Sequence, residues 1–309
     1  MTANYSSIIV PLDGSATAER AIPWAIAIAQ RGRARVAFVH VHDEGALVAN
    51  APMTDSGWDD DRAAEQGGAI RAMAERIARD TGLGVTAVTL RGPAALSLVQ
   101  HAIEHAADLI VMTTHGRSGF SHAWSGSVAE RVIHSTKTGV LVVRTGGHTR
   151  IDVKEPLFRR ILLPVDREQS GTEAIHRACT LGTDGLTTYA LLTIVSALPM
   201  LPPAYPTVGM VVGDPDFAHR APDAAALLAR LAGAIQTSGA ATDVRVVTHE
   251  HAAAAILAVA DANADLIVMP THPRGSLSRA LLGSVVDEVM RGATVPLLLF
   301  RASTPPDAR

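Results

Sequence analysis

The stretch that decides the fold is LIVMTTHGRSGFSHAWSGS, residues 109–127. Its first four residues are an apolar run that stops abruptly at polar and turn-forming residues, which is typical of a buried strand. Gly116 and Gly119 follow, and Gly126-Ser127 opens an amphipathic segment whose leading serine predicts the start of a helix. A strand, a glycine-bearing loop and a helix N-terminus in this order present free backbone N–H groups and the positive end of a helix dipole, which suits phosphate.

Working outward, short β-rich runs alternate with segments of helical spacing. The predicted strands are residues 7–12, 35–41, 85–90, 109–112 and 140–143. The predicted helices are residues 16–31, 63–80 and 93–106, with a fourth that opens at Ser127. A polar loop over residues 42–58 separates the second strand from the second helix. Strands that alternate with helices predict parallel βαβ units and an α/β sheet.

The whole pattern then occurs a second time. The repeated pairs are IIVPLD ending at Asp13 and ILLPVD ending at Asp166, ADLIVM beginning at Ala107 and at Ala264, and Gly126-Ser127 and Gly283-Ser284. The offset is 153 at the first pair and 157 at the other two, so the second copy carries four extra residues between its first and fourth strands. This tandem duplication predicts two domains, residues 1–147 and 157–303, with a polar linker around residues 146–156.

Composition limits the class of protein. With 309 residues the chain has room for about two domains, and 48% apolar residues exclude a disordered chain. A formal net charge of −3 argues against nucleic-acid binding, which normally uses a basic patch. Cys179 is the single cysteine, which excludes a disulfide framework and fits a reducing compartment. We expect a cytoplasmic protein without a signal peptide or membrane span, because the first apolar run has no basic flank and residues 191–195 are too short.

With the repeat aligned, each half resembles a universal stress protein domain, and the whole chain resembles the tandem type of that family. The motifs that carry the resemblance are VPLDGS and LPVDRE, FVHV at the end of the second strand, DLIVMTTHGRSG, GSVAERVI and GVLVVR. The family's nucleotide pattern, Gly-x-x-Gly-x9-Gly-Ser/Thr, falls on Thr113, Gly116 and Gly126-Ser127, which match three of its four defined positions. The resemblance implies two Rossmann-like (adenine nucleotide alpha hydrolase-like) domains, each a five-stranded parallel sheet of order 3-2-1-4-5 with helices on both faces.

The resemblance further implies an ATP or other adenine-nucleotide site above the carboxyl ends of the first and fourth strands. Asp13 and the Val41 backbone would meet adenine, and Thr113 would lie near the ribose. Gly116 would lie against the phosphates, to which residues 126–128 would donate backbone N–H groups. The predicted nucleotide-binding residues are Pro11, Leu12, Asp13, Val41, Thr113, His115, Gly116, Arg117, Gly119, Gly126, Ser127 and Val128. Mg²⁺ could accompany the nucleotide, and Asp13 could also serve as a helix N-cap or turn residue.

The second half departs from the nucleotide pattern. The same register gives Pro270 and Pro273 before Gly283-Ser284, so a proline stands where the glycine against the phosphates should be. Proline has no N–H to donate and fixes φ. The predicted second, weaker site comprises Asp166, Ile194, Gly283, Ser284 and Val285. We expect the first domain to bind ATP and the second to bind it poorly or not at all.

No catalytic residue or metal ligand is assigned from the sequence. His101–His105 matches the H-x-x-E-H pattern of zinc peptidases, but it falls on a predicted helix whose polar face should meet water. No Walker-type lysine and no obvious general base accompany the predicted site, so slow ATP hydrolysis is the most that we expect. The resemblance implies a regulatory role in stress response. The alternatives are a weak ATPase or adenylating enzyme on the same fold, and a partner-binding protein with vestigial nucleotide sites.

The resemblance also implies an association mode. Fifth strands pair across a dimer in the family, and residues 140–143 and 295–300 are predicted to be apolar edge strands. Within one chain these strands could join the two halves as a pseudo-dimer, and a homodimer is also compatible. We expect neither nucleic acid nor membrane as a partner.

Overall fold

The computed structural model describes residues 5–43, 57–113, 128–144, 156–195, 217–237, 239–271 and 284–302. By its internal contacts the chain divides into two units. The first comprises Met1–Leu157, Thr271–Leu282 and Thr294–Arg301, and the second comprises Phe158–Pro270, Gly283–Ala293 and Ala302–Arg309. Among the described residues, no helix is both long enough and apolar enough to cross a membrane.

Strands and helices alternate along both halves of the described chain. The strands are β1 (Ser7–Pro11), β2 (Arg35–His42), β3 (Val85–Arg91), β4 (Leu109–Thr113), β5 (Gly139–Val143), β6 (Arg160–Pro164), β7 (Thr188–Val195), β8 (Ala241–Thr248), β9 (Leu266–Thr271) and β10 (Leu297–Arg301). The helices are α1 (Ala16–Glu19), α2 (Ile22–Gly32), α3 (Gly57–Thr81), α4 (Ala94–Glu104), α5 (Val128–Ser135), α6 (Glu168–Leu181), α7 (Phe217–Gln236), α8 (Ala252–Asn263) and α9 (Ser284–Gly292). This alternation confirms the predicted α/β class.

In the first unit, β1 lies between β2 and β4 and is parallel to both. Strand β3 continues the sheet beyond β2, and β5 continues it beyond β4. The chain therefore leaves β1 toward one edge of the sheet and returns to build the other edge from β4, which creates a switch point between these two strands. Strand β10 belongs to this unit and runs antiparallel to β5. Strand β5 is the last parallel strand of this sheet, and its outer side, which was predicted to be open to pairing, is paired with β10.

In the second unit, β6 is parallel to β7 and β9, and β7 is parallel to β8. The strand registers locate the four extra residues of the second copy. Val36 and Tyr189 are offset by 153, whereas their partners on the next strand, Val85 and Thr242, are offset by 157. The extra residues therefore lie between β7 and β8.

The repeated aspartate before the fourth strand of each half has a structural task. Asp108 Oδ2 accepts hydrogen bonds from Ser6 N at 2.7 Å and Ser7 N at 2.9 Å, which ties the start of β4 to the start of β1. Asp265 Oδ2 accepts from Arg159 N at 2.7 Å and Arg160 N at 2.9 Å in the same way. Bonds from backbone N–H groups to a carboxylate are charge-assisted and strong, so they fix the relative register of two strands that meet at the switch point.

The first two predicted helices differ most from the observed ones. The single helix predicted over residues 16–31 is two helices, because Pro23 has no N–H for an interior helical bond and instead lies in the first turn of α2. Helix α3 begins at Gly57, inside the predicted loop. In each case the α/β order is unchanged.

Candidate functional site

The predicted nucleotide site lies at the switch point. Pro11 ends β1 and Thr113 ends β4. Because these strands are parallel, both finish at the carboxyl end of the sheet. Thr113 is 8% exposed and stands opposite Val143 of β5. Val41 lies two residues beyond Val39, the partner of Pro11 on β2. The structure thus brings the carboxyl ends of β1, β2 and β4 together, which is where a ligand of such a sheet would lie.

Asp13 builds the turn that follows β1. Its Oδ1 accepts a hydrogen bond from Ser15 N at 2.9 Å, and the Ser15 hydroxyl accepts one from Ala18 N at 3.1 Å. Gly14 between them has φ of 77°, a left-handed conformation that glycine adopts without strain. Asp13 is therefore a turn residue, as the structural alternative predicts, and Ser15 is the N-cap of α1. The carboxylate is half-buried at the edge of the switch point.

Leu12 links β1 to β2 through both of its backbone groups. Its N–H donates to Val39 O at 2.9 Å, and its carbonyl lies 2.9 Å from His40 Nδ1. Since a carbonyl can only accept, Nδ1 must carry the proton in this contact. His40 is 4% exposed, and its buried Nε2 has no hydrogen-bond partner within the described chain. His40 lies in the motif FVHV but is not among the predicted nucleotide-binding residues.

The second unit repeats this junction with different side chains. Val165 N donates to Leu192 O at 2.7 Å, as Leu12 N does to Val39 O. The donor to Val165 O is the Thr193 hydroxyl at 2.9 Å, and Thr193 stands 153 residues after His40. The signal that could have identified His40 is therefore this pair of polar residues at one repeat position, in otherwise apolar strands.

Asp166, the counterpart of Asp13, is held differently. Its Oδ1 accepts a hydrogen bond from the hydroxyl of Ser170, a residue of α6, at 2.8 Å. Arg167 Nε lies 4.0 Å from its Oδ2. Its side chain is exposed, whereas that of Asp13 is half-buried. Ile194, the counterpart of Val41, lies near the end of β7. The two halves therefore present the same backbone framework with a more solvated carboxylate in the second.

The predicted phosphate side is described only in part. Helix α5 begins at Val128, whose side chain is 40% exposed, and the N–H groups of a first helical turn have no intrahelical acceptors. Its first turn also carries Glu130, whose Oε1 lies 3.9 Å from Nε2 of His134. Helix α9 begins at Ser284, followed by Val285, and Pro270 lies buried in β9. The predicted residues outside the described part of the chain are His115, Gly116, Arg117, Gly119, Gly126, Ser127, Pro273 and Gly283.

The H-x-x-E-H segment has a different environment from the predicted one. His101 is only 6% exposed, so the expectation that this part of α4 faces water is wrong for that side chain. Its ring centre lies 4.0 Å from that of His105. Burial lowers the pKa of His101, and the neighbouring His105 lowers it further, with Glu104 opposing. Across the described ranges, no three or more His, Cys, Asp or Glu side chains are grouped to hold a metal ion.

Comparisons with known proteins agree with this architecture. The model of the universal stress protein family matches residues 4–144 and again residues 157–301. Universal stress protein Rv2005c of Mycobacterium tuberculosis is 24% identical over 306 residues, which are 96% of this chain and 97% of that protein. Universal stress protein MJ0531 of Methanocaldococcus jannaschii is 34% identical over 142 residues, 45% of this chain and 82% of that protein. The crystal structure of a universal stress protein from Archaeoglobus fulgidus aligns with a TM-score of 0.72 at 18% identity, covering 97% of each chain.

Proposed function

This chain belongs to the universal stress protein family, with two tandem domains, and we propose that it is a regulatory module that binds ATP or a related adenine nucleotide. The observation that carries the proposal is the switch point, where the ends of β1 and β4 lie side by side beneath Asp13 and Thr113. In parallel sheets of this kind, ligands occupy the crevice above such a point. We take residues 1–147 and 157–303 as the two domains, and the first as the main binding domain.

The geometry supports a separate set of residues in the first site for each part of the nucleotide. Backbone groups of Val41 and the Asp13 carboxylate, at the ends of β2 and β1, can offer acceptors and donors to the edge of an adenine ring. Thr113, at the end of β4, supplies a hydroxyl for the ribose. The first turn of α5, from Val128 onward, offers N–H groups and a positive helix dipole to phosphate. Mg²⁺ would accompany the nucleotide through its phosphates.

Weaker binding in the second domain is supported by chemistry that is present in the sequence. Pro270 and Pro273 replace Thr113 and Gly116 of the first domain, and neither proline has an N–H to donate. Asp166 is also more exposed than Asp13, so any bond from it to a ligand competes more strongly with water. Ser284 and Val285 at the start of α9 retain the helix N-terminus, which leaves residual phosphate affinity.

Mass spectrometry of small molecules released by denaturing the purified protein, followed by titration of the stripped protein with ATP, tests the proposal. We expect released adenine nucleotide and saturable ATP binding. ATP turnover well above background that Asp13→Ala abolishes would instead indicate an enzyme. Neither released nucleotide nor a thermal shift with ATP would contradict the proposal and favour a partner-binding protein with vestigial sites.

We also propose that the fifth strands of the two repeats associate as a pseudo-dimer. The antiparallel pairing of β10 with β5, in which Leu298 stands opposite Leu141, supports this. A homodimer remains compatible and would be detected by light scattering. The single cysteine, Cys179, continues to favour a reducing compartment such as the cytoplasm, and we propose a role in stress response from family membership.

A further inference from the structure

The junction of the first two strands contains one side-chain bond that both repeats make with different residues. His40 Nδ1 reaches Leu12 O at 2.9 Å, and the Thr193 hydroxyl reaches Val165 O at 2.9 Å. An imidazole and a hydroxyl have little in common except that each can donate to a carbonyl. The bond is therefore the feature that the two halves share, and the residue type is not.

The acceptor carbonyl has a specific place in the sheet. In a continuing parallel ladder, the carbonyl of Leu12 would accept from the N–H of Val41, just as Val39 O accepts from Leu12 N. The register between β1 and β2 instead ends at Pro11 and Val39, and the imidazole supplies the donor to Leu12 O. The N–H of Val41, at the end of β2 beside the switch point, therefore does not donate to Leu12 O.

The second unit follows the same arrangement. The register between β6 and β7 ends at Pro164 and Leu192, and the next carbonyl, that of Val165, accepts from Thr193. Its ladder partner would have been the N–H of Ile194, the counterpart of Val41. Val41 and Ile194 are also the residues whose backbones are proposed to meet adenine, one in each domain.

We propose that His40, and Thr193 in the second domain, are positioning residues that occupy the last carbonyl of the first strand and so leave the next backbone N–H of the second strand to the ligand. This inference rests on the proposed adenine site for its function. The buried Nε2 of His40, which has no hydrogen-bond partner within the described chain, fits it, because a buried polar atom without a partner destabilises the fold. Within the described chain, His40 therefore makes its side-chain hydrogen bond through Nδ1.

The matched pair His40→Thr and His40→Val tests the proposal in the full-length protein. Threonine and valine have the same shape and leave the same cavity, and they differ by a hydroxyl against a methyl group. Threonine is also the residue that makes this bond in the second domain. We expect ATP to bind the threonine variant roughly fivefold more tightly than the valine variant, in line with the usual contribution of about 1 kcal/mol from one hydrogen bond.

Amide hydrogen exchange measured without nucleotide gives a second test. The proposal predicts slower exchange in the valine variant, whereas simple destabilisation would make exchange faster. In His40→Val the Leu12 carbonyl becomes available to Val41, so the Val41 amide should exchange more slowly than in His40→Thr, while global stability falls or is unchanged. Thr193→Val against Thr193→Ser repeats the comparison at the Ile194 amide, and serves if the histidine variants do not fold. Equal exchange rates within both pairs would overturn the proposal. If the native protein binds no adenine nucleotide, the proposed function fails, and the exchange rates still decide the positioning role.

Discussion

At the scale of single residues, Asp13 combines a turn contact with the proposed ligand contact, and the two can be separated. Asp13→Ala removes the acceptor for Ser15 N as well as the carboxylate that is proposed to contact the ligand. We expect it to lower the free energy of unfolding by about 1 kcal/mol and to weaken ATP binding by at least tenfold. Chemical denaturation and calorimetric titration measure the two effects.

Ser15→Ala is the control for this prediction. It removes the N-cap acceptor of Ala18 N and should also lower stability by about 1 kcal/mol. Because the Ser15 side chain has no proposed ligand contact, ATP affinity should stay near that of the native protein. If both variants weaken binding equally, Asp13 acts through the turn alone and the ligand contact is wrong.

Residue identity alone predicted some of the junction and missed the rest. Asp13 and Asp166 were identified because they recur as the same residue after the same kind of strand. His40 and Thr193 were not paired, because they are different residues in the two aligned copies, although the structure shows that both make the same hydrogen bond. A bond from a side chain to a backbone carbonyl depends on reach and donor chemistry, and several residue types satisfy both.

At the scale of elements, helix α6 packs so closely that its single glycine, Gly171, leaves little room for a larger side chain. A Cβ added to Gly171 would lie 2.7 Å from Leu231 Cδ1 and 2.9 Å from Val165 Cγ1. Overpacking typically costs about 1–3 kcal/mol, and the better helix propensity of alanine returns about 1 kcal/mol at most. We therefore expect Gly171→Ala to lower the free energy of unfolding by about 1 kcal/mol.

Gly233, in the interior of α7, provides the opposite case. A Cβ there meets nothing within 4 Å, so only the gain in helix propensity remains. Gly233→Ala should raise the free energy of unfolding by up to about 1 kcal/mol. Urea denaturation of both variants measures the pair, and stabilisation by Gly171→Ala would contradict the close packing of α6.

The buried His101 on helix α4 should make the stability of the protein depend on pH. Burial, aided by His105, lowers the pKa of His101 in the folded state, so the unfolded chain binds a proton more readily. Stability from this group is therefore complete well above the ordinary histidine pKa of about 6.5 and is lost as the pH falls below it. We expect His101→Leu to flatten the decrease in unfolding free energy between about pH 7.5 and 5.

The exposed His176 on α6 is the control for that measurement. His176→Gln removes one exposed histidine and supplies the reference slope of unfolding free energy against pH. Equal slopes for the native protein and His101→Leu would show that His101 does not titrate differently on unfolding. The sequence placed this segment on a helix but assigned His101 to the solvent side, because the polarity of histidine does not reveal which face a helix buries.

At the scale of the whole molecule, the repeat itself predicted two domains of one α/β class, since duplicated motifs report duplicated folds directly. The resemblance implied that the fifth strands of the two halves could pair, but the sequence did not predict that β10 would run antiparallel to β5 and belong to the first unit. Strand pairing across more than 150 residues leaves no local pattern, because an interior apolar strand and an apolar strand at an edge read alike. The strand registers were likewise needed to locate the four inserted residues.

The asymmetry between the two domains is a prediction about the complete chain. The stripped full-length protein should bind one ATP in calorimetric titration at moderate concentration. Gly116→Pro, which places in the first domain the residue that the second domain carries at the same register, should abolish that binding because the N–H is lost and φ is fixed. The reciprocal double change Pro270→Thr with Pro273→Gly should add a second, weaker site. Two equivalent sites in the native protein, or unchanged binding by Gly116→Pro, would mean that the prolines do not set which domain binds.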